Sequence, residues 1–230
     1  MILLCSCPHL ISQGRSRLQS LSLGKLGCAC LLAHQDCPLP PLLLGQAANH
    51  LTKLTLEHLT YNCSLTRLQL ETFLQAIQQD TKLKELLLSS VPSLTDVNPA
   101  ILTSAFRKIE KITLSTIDLN LEQAQTLFLE IEKGTSAIKE LCIYHLANNP
   151  HDQVKNVESS ILAGAVNQLE KADFLNVNLN SQQVTAVLTR SLRGTRLHQL
   201  KLDRFDPDRS HLFLPASLMD NITFNFDFSQ

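Results

Sequence analysis

The sequence contains no tryptophan, only two tyrosines and seven glycines in 230 residues, and no long uninterrupted apolar run. The missing apolar run argues against several membrane-spanning helices, and the scarcity of glycine excludes a collagen-like chain. Neither sign of charge dominates, because 20 basic and 21 acidic residues leave a net charge of -1. The total therefore gives no electrostatic reason to expect nucleic acid or an anionic membrane as a partner. A hydrophobic content of 44% is typical of a folded globular chain.

The amino terminus lacks the features of a secretory signal, because its short apolar start is broken by Pro8 and has no basic segment before it. We therefore expect a cytoplasmic protein whose seven cysteines are thiols. Soft zinc ligands crowd near this end: Cys5, Cys7, His9, Cys28, Cys30, His34 and Cys37. The C-x-C spacing strains a tetrahedral site, so buried thiols are the favoured interpretation. We expect no metal and no other cofactor.

Leucine is the residue that the sequence has in excess, at 46 of 230 positions. It recurs in the pattern L-x-x-L-x-L, with aliphatic or aromatic replacements, at starts separated by 33, 32, 26, 29, 31 and 28 residues. The seven motifs are Leu18-Leu21-Leu23, Leu51-Leu54-Leu56, Leu83-Leu86-Leu88, Ile109-Ile112-Leu114, Ile138-Leu141-Ile143, Leu169-Ala172-Phe174 and Leu197-Leu200-Leu202. Apolar and polar residues alternate inside each motif, which predicts a strand with one buried face. Ile222 and Phe224 belong to a degenerate eighth motif.

Between the motifs the apolar spacing becomes helical, which predicts one helix after each strand. Thr66, Asn120 and Asn180 each precede a glutamine by three residues, a pattern similar to a helix capping box. Gly134 and Gly194 are placed to end the helices that follow the second and third of these caps. Alternate helices carry different apolar patterns, so the repeating unit is a pair of repeats. A single unit cannot bury its own strand and helix, which makes stacking obligatory.

These strand motifs, each followed by a helix at nearly 30-residue spacing, resemble a leucine-rich repeat array of the ribonuclease-inhibitor-like subtype, as in the carboxy-terminal arrays of NOD-like receptors. The resemblance implies an α/β solenoid, or horseshoe, with a parallel sheet on the concave face and helices on the convex face. It covers residues 18–203, about seven repeats. Residues 1–17 are interpreted as a partial amino-terminal repeat or cap, and residues 204–230 as a degenerate carboxy-terminal repeat or cap. The last segment either caps the array or forms an exposed edge.

Charges on the predicted strands alternate in sign down the stack. One row reads Lys53, Glu85, Lys111, Glu140 and Lys171, and the adjacent row reads Lys84, Glu110, Lys139 and Glu170 in the opposite phase. Neighbouring strands bring equivalent positions within about 4.8 Å, where opposite charges attract. The rows therefore favour correct register and solubility, and they form no positive stripe for phosphate.

The predicted partner-binding residues all project from the concave sheet. They are Glu85, Leu87, Lys111, Thr113, Cys142, Tyr144, Asp173, Leu175 and Lys201. Leu87, Cys142, Tyr144 and Leu175 supply apolar or aromatic groups on an otherwise polar surface, the usual composition of an interface hot spot. Isolated exposed apolar residues are also common, so this reading and a role without partner contact both stay open.

The expected function is a non-enzymatic scaffold that binds a protein on its concave sheet, as a regulatory or innate-immune type of module. The sequence has no phosphate loop, no H-E-x-x-H and no G-x-S-x-G motif, so we expect no catalysis and no small-molecule cofactor. The resemblance leaves two alternatives: a small-GTPase regulator of the Ran-activator type, and a substrate-recognition module of a ubiquitin ligase. We expect neither nucleic acid nor a membrane as partner.

Overall fold

The structure, a computed structural model, describes residues 18–24, 41–57, 66–77, 81–145, 153–191, 196–203 and 222–225. Within these ranges the chain forms one open parallel sheet whose strands alternate with helices, as expected for an α/β fold. The strands are β1 Ser20–Gly24, β2 Lys53–Glu57, β3 Glu85–Ser89, β4 Lys111–Ser115, β5 Glu140–Tyr144, β6 Lys171–Leu175, β7 Gln199–Asp203 and β8 Ile222–Asn225. Each strand pairs with the next in chain order, so the sheet grows by one strand per repeat.

Six α-helices lie between these strands in the described ranges. They are α1 Pro41–Ala48, α2 Arg67–Ala76, α3 Pro99–Phe106, α4 Leu121–Glu132, α5 Ser159–Gln168 and α6 Ser181–Ser191. Two 3₁₀ helices, Pro92–Asp96 and Val154–Asn156, precede α3 and α5. Alternate connections therefore differ, which agrees with the predicted pair of repeats.

The predicted apolar positions form one continuous core between the helices and one face of the sheet. The second and fourth residues of each central strand are buried, as Leu54 and Leu56 illustrate with no exposed surface. Parallel pairing aligns them, since Leu54 lies opposite Leu86 and Leu86 opposite Ile112. The helix stripes cover this face, with Phe73, Phe106, Phe128 and Val166 buried against it. The leucine motif therefore creates a strip of core that each unit shares with its neighbours.

The predicted helix starts are confirmed at all three positions. Thr66 and Asn120 form complete capping boxes with Gln69 and Gln123. Asn180 makes the same reciprocal hydrogen bonds with Gln183, at 2.9 and 3.0 Å. Each cap pairs amide groups that a helix terminus otherwise leaves without partners.

Gln123 also has a second role that the capping pattern did not predict. Its side chain is fully buried, and Nε2 donates hydrogen bonds to the carbonyls of Leu94 at 2.7 Å and Val97 at 2.6 Å. Asn120 Nδ2 donates to the Thr95 carbonyl at 2.8 Å. The first turn of α4 is thus bound to the 3₁₀ segment of the preceding unit.

The same arrangement recurs 60 residues later. Gln183 Nε2 donates to the carbonyls of Val154 at 2.9 Å and Val157 at 2.7 Å. Asn180 Nδ2 donates to the Lys155 carbonyl at 3.0 Å. Strands β4 and β6 and helices α4 and α6 also begin 60 residues apart. The chain between 85 and 191 therefore contains a two-strand unit, β3 to α4, and its copy, β5 to α6.

Three strands are followed by a residue in an unusual backbone conformation, and at two of them the strand ladder continues through that residue. Ser90, Thr116 and Asn176 follow β3, β4 and β6 with φ values of 53°, 50° and 56°. Ser90 and Thr116 donate their backbone N–H groups to the last carbonyls of β4 and β5. Gly134 has φ of 68° just after α4, which confirms the predicted glycine at that helix end.

Strand β8 confirms the register of the degenerate eighth motif, because Ile222 lies opposite Leu200 and Phe224 opposite Leu202. Several other predictions lie outside the described residues. These are the partial repeat over 1–17, the cysteine and histidine cluster, Gly194, and most of the 204–230 segment.

Replacing Gln183 with leucine should destabilise the fold strongly. The substitution removes the two amide donors and the Oε1 acceptor, so the Val157 carbonyl and the Asn180 N–H lose the hydrogen bonds that Gln183 makes, and the Val154 carbonyl loses one of its donors. We expect the free energy of unfolding in urea to fall by about 3 kcal/mol, because each buried unpaired group costs about 1–3 kcal/mol. Gln182, the exposed neighbour in α6, provides the control. Gln182→Leu should change stability by less than about 0.5 kcal/mol, and equal losses in the two variants would refute the bridging role.

Candidate functional site

The open face of the sheet consists of the side chains at the first, third and fifth positions of β2 to β6 and at the first and third positions of β1 and β7, which point away from the helix-covered core. All nine predicted partner-binding residues lie on this face. Pairing aligns Leu87, Thr113, Cys142, Asp173 and Lys201 in one row across β3 to β7. Glu85 and Lys111 align at the first position, and Tyr144 and Leu175 at the fifth. The structure thus brings the predicted residues together, while their binding role stays a prediction.

The first-position row is charged and largely paired within the chain. Lys53 Nζ lies 3.1 Å from Glu85 Oε2, and Lys111 Nζ lies 3.2 Å from Glu140 Oε2. The hydrogen bond to Glu140 raises the pKa of Lys111. Cross-strand pairing of the alternating charges is confirmed for these residues.

The adjacent row, one residue before the strands, pairs in the same manner. Glu110 Oε1 contacts Lys84 Nζ at 3.0 Å, and Glu110 Oε2 contacts Lys139 Nζ at 2.8 Å. The hydrogen bonds from Lys139 and Lys84 lower the pKa of Glu110. Seven residues of the two rows line a shallow depression in the sheet: Lys84, Glu85, Glu110, Lys111, Lys139, Glu140 and Glu170. Its three lysines and four glutamates leave a net charge of only -1, so this depression presents little net charge to a ligand.

The third-position row is more buried than the sequence suggests. Cys142 and Asp173 each expose only 2% of their surface, and Thr113 exposes 8%. The sequence placed Cys142 on an exposed surface, but its side chain is buried like that of Asp173, and the partner-binding role of this row stays a prediction. Burial raises the pKa of the Cys142 thiol. Leu87 and Lys201 in the same row are partly exposed.

The fifth-position row contains an aromatic and an aliphatic side chain that are accessible. Tyr144 and Leu175 are in register on β5 and β6, and both are partly exposed. The preceding strands have hydroxyl groups at the same position, Ser89 and Ser115. Burial raises the pKa of the Tyr144 phenol, so this group stays neutral at physiological pH. The carboxyl ends of β5 and β6 are thus the most apolar part of the open face.

Asp173 is the functional group whose surroundings the sequence did not predict. Its Oδ2 is 3.2 Å from Lys171 Nζ, 3.5 Å from the Tyr144 hydroxyl and 3.8 Å from Cys142 Sγ. Its Oδ1 is buried and has no hydrogen-bond partner among the described residues. A buried carboxylate oxygen without a donor is costly, which marks this position as exceptional.

Lys171 forms its ion pair with Asp173 of the same strand, because β7 has no glutamate at the first position. Lys53 and Lys111 each find a glutamate on the next strand, but the residue opposite Lys171 on that strand is Gln199. The expected alternation therefore stops at Lys171, whose ammonium group turns to Asp173. Gln199 in the charge row was the sequence signal for this departure.

Other classes of site have little support in the described part of the chain. No group of three or more histidine, cysteine, aspartate or glutamate residues there could hold a metal ion. Every described helix is too short or too polar to cross a bilayer. No family model, no curated protein and no solved structure matches the chain.

Replacing Glu110 with glutamine should destabilise the protein modestly and alter its pH dependence. Because Glu110 is only partly buried, we expect a loss below about 1 kcal/mol at low ionic strength. The loss should shrink in molar salt, where the screening length is about 3 Å. The folded state lowers this pKa from its usual 4.5, so the contribution is present above that value and disappears as the pH falls through the lowered pKa.

The measurement is urea unfolding of both proteins across pH and salt concentration. Glu122→Gln, an exposed glutamate on α4, serves as the control and should not reproduce the salt-dependent difference. A Glu110→Gln effect that is independent of salt and pH would contradict the electrostatic explanation.

Proposed function

We propose that this protein is a non-enzymatic interaction scaffold that binds a protein partner on the open face of its sheet. The proposal includes a leucine-rich repeat solenoid of the ribonuclease-inhibitor-like subtype, with the open face concave. The stacking of one strand and one helix per motif supports this assignment, as does the 60-residue recurrence of the Gln123 and Gln183 contacts. A cytoplasmic location is part of the same proposal.

One observation carries the proposal: Tyr144 and Leu175 are partly exposed side by side on an ordered sheet. Burial of a tyrosine and an adjacent leucine can contribute much of the binding energy of a protein interface. The charged rows are already paired within the chain, so they contribute orientation and solubility more than affinity. Binding should therefore centre on the carboxyl ends of β5 and β6.

The GTPase-regulator and ubiquitin-ligase alternatives rest on the family resemblance alone. No contact among the described residues favours either of them over general protein recognition. The partner is accordingly proposed only as a protein.

Affinity capture from extract of the source cells should depend on the two fifth-position side chains. We propose Tyr144→Ser and Leu175→Ser because Ser89 and Ser115 occupy the same strand position on β3 and β4. Captured proteins that are lost in both variants become partner candidates. With a purified candidate, each substitution should weaken binding by about tenfold or more in calorimetry, as expected for a hot-spot residue.

The control is Gln182→Ala, which changes an exposed residue on the helix side and should leave capture intact. Circular dichroism of each variant checks that the fold is retained. If folded Tyr144→Ser and Leu175→Ser proteins capture the same partners as the unmodified chain, the open face is not the binding surface.

A further inference from the structure

The two-strand unit from β3 to α4 and its copy from β5 to α6 share a scaffold but differ on the open face. The capping and bridging contacts of Gln123 recur at Gln183 with nearly the same distances. The third and fifth positions of β3 and β4 are Leu87, Ser89, Thr113 and Ser115, whereas those of β5 and β6 are Cys142, Tyr144, Asp173 and Leu175. The fold therefore does not require the second set, because the first set supports the same strands.

Of these differences, the aspartate at position 173 has the largest expected cost in folding free energy. Thr113 occupies the position equivalent to Asp173 in the first two-strand unit and is also buried, with 8% exposure. A threonine hydroxyl is neutral, whereas Asp173 places a charge at 2% exposure and leaves Oδ1 without a donor among the described residues. A buried charge with incomplete hydrogen bonding destabilises a fold. A role outside the scaffold explains why an aspartate occupies this position.

The groups around Asp173 indicate which kind of ligand could bind to its carboxylate. Tyr144 and Leu175 are in register at the fifth position, and the Tyr144 hydroxyl is 3.5 Å from Asp173 Oδ2. A ligand that reaches the carboxylate would thus pass an aromatic ring and an aliphatic side chain. Planar guanidinium groups bind both oxygens of a carboxylate and stack on aromatic rings.

We propose that Asp173, Tyr144 and Leu175 form a subsite for an arginine side chain of a protein partner. In the bound state the guanidinium donates hydrogen bonds to both Asp173 oxygens, and its aliphatic stem packs between Tyr144 and Leu175. This inference rests on the proposed function, since it assumes a protein on the open face, and it specifies one residue that this protein must present.

In the protein without a partner, Lys171 forms the ion pair with Asp173 that the arginine would replace. Its ammonium group contacts Oδ2 alone, at 3.2 Å, and its side chain is 29% exposed. Its strand neighbour Glu140 is in register at the first position and offers an alternative carboxylate when the arginine displaces it. Displacement therefore frees Oδ2, while Glu140, which also pairs with Lys111, lies beside the released ammonium group.

The local charge balance permits a cationic ligand. The charged residues at the first, third and fifth positions of β5 to β7 are Glu140, Lys171, Asp173, Lys201 and Asp203, which sum to -1. A cation therefore meets no net repulsion there, and the unpaired Oδ1 together with the tyrosine ring supplies the preference for a fork of N–H donors over a single ammonium group.

The direct test uses N-acetyl-arginine N-methylamide as the probe and the full chain as the receptor. Nuclear magnetic resonance would follow the side-chain carboxyl carbon of Asp173 during a titration at millimolar concentrations. We expect a saturable shift, binding about tenfold weaker for the equivalent lysine probe, and no shift for the citrulline probe, which has the same length without charge. Absence of a saturable arginine shift, or equal responses to all three probes, would overturn the proposal.

The residue equivalent to Asp173 in the first two-strand unit suggests the matched variant. Asp173→Thr reproduces Thr113 and should retain the fold, with an unfolding temperature no lower than that of the unmodified chain, while the probe response is lost. Asp173→Asn keeps the side-chain volume and should bind the probe about tenfold more weakly. Unchanged probe binding in the folded variants would refute the subsite, and a large loss of stability in both variants would show that Asp173 serves the scaffold.

The outcomes separate this inference from the proposed function. If a captured partner depends on Tyr144 but binds the Asp173→Thr protein unchanged, the scaffold function stands and the arginine subsite fails. If the probe binds at Asp173 but the open-face serine variants capture the same proteins as the unmodified chain, the subsite stands and the proposed function fails.

Discussion

Each strand-helix unit depends on its neighbours to bury its apolar groups and to pair its polar ones. The strand leucines are covered only where the next strand and its helix pack beside them. Gln123 and Gln183 add a polar version of the same dependence, because their buried amides hold carbonyls of the preceding unit. Stability in such an array resides largely in the contacts between units. Removing one contact therefore affects more than the unit that contains it.

These stabilising contacts lie in the core and on the helix side, which leaves the open face available for the proposed recognition. Core packing uses the second and fourth strand positions, and the buried glutamines fix the helix side, so neither depends on the residues at the third and fifth positions. Those positions hold Leu87, Ser89, Thr113 and Ser115 in one two-strand unit and Cys142, Tyr144, Asp173 and Leu175 in its copy. Two copies that share their core positions but differ at the third and fifth strand positions support the proposed binding surface.

The sequence predicted the strands, their register and the helix starts because these follow from local periodicity. Leu54, Leu86 and Ile112 align as the motif requires, and the Asn120 cap forms as its spacing indicates. The sequence did not predict the bridging amide of Gln123, since its acceptors lie 26 to 29 residues away and belong to a 3₁₀ segment with no periodic signal. It also misjudged Cys142 and the pairing of Lys171, because exposure and ion pairing depend on the size and charge of side chains on adjacent strands.

The most direct test of the account is a deletion that respects the two-strand unit. Removal of residues 111–170 joins Glu110 to Lys171, so that β3 meets β6 and Gln183 faces the carbonyls of Leu94 and Val97 instead of those of Val154 and Val157. The account predicts a folded protein with a cooperative urea transition. A control deletion of residues 140–170 places Lys171 beside Lys111 and removes the acceptors of Gln183, so it should fold poorly or not at all. Equal behaviour of the two deletions would contradict the claim that the units stack in pairs through these contacts.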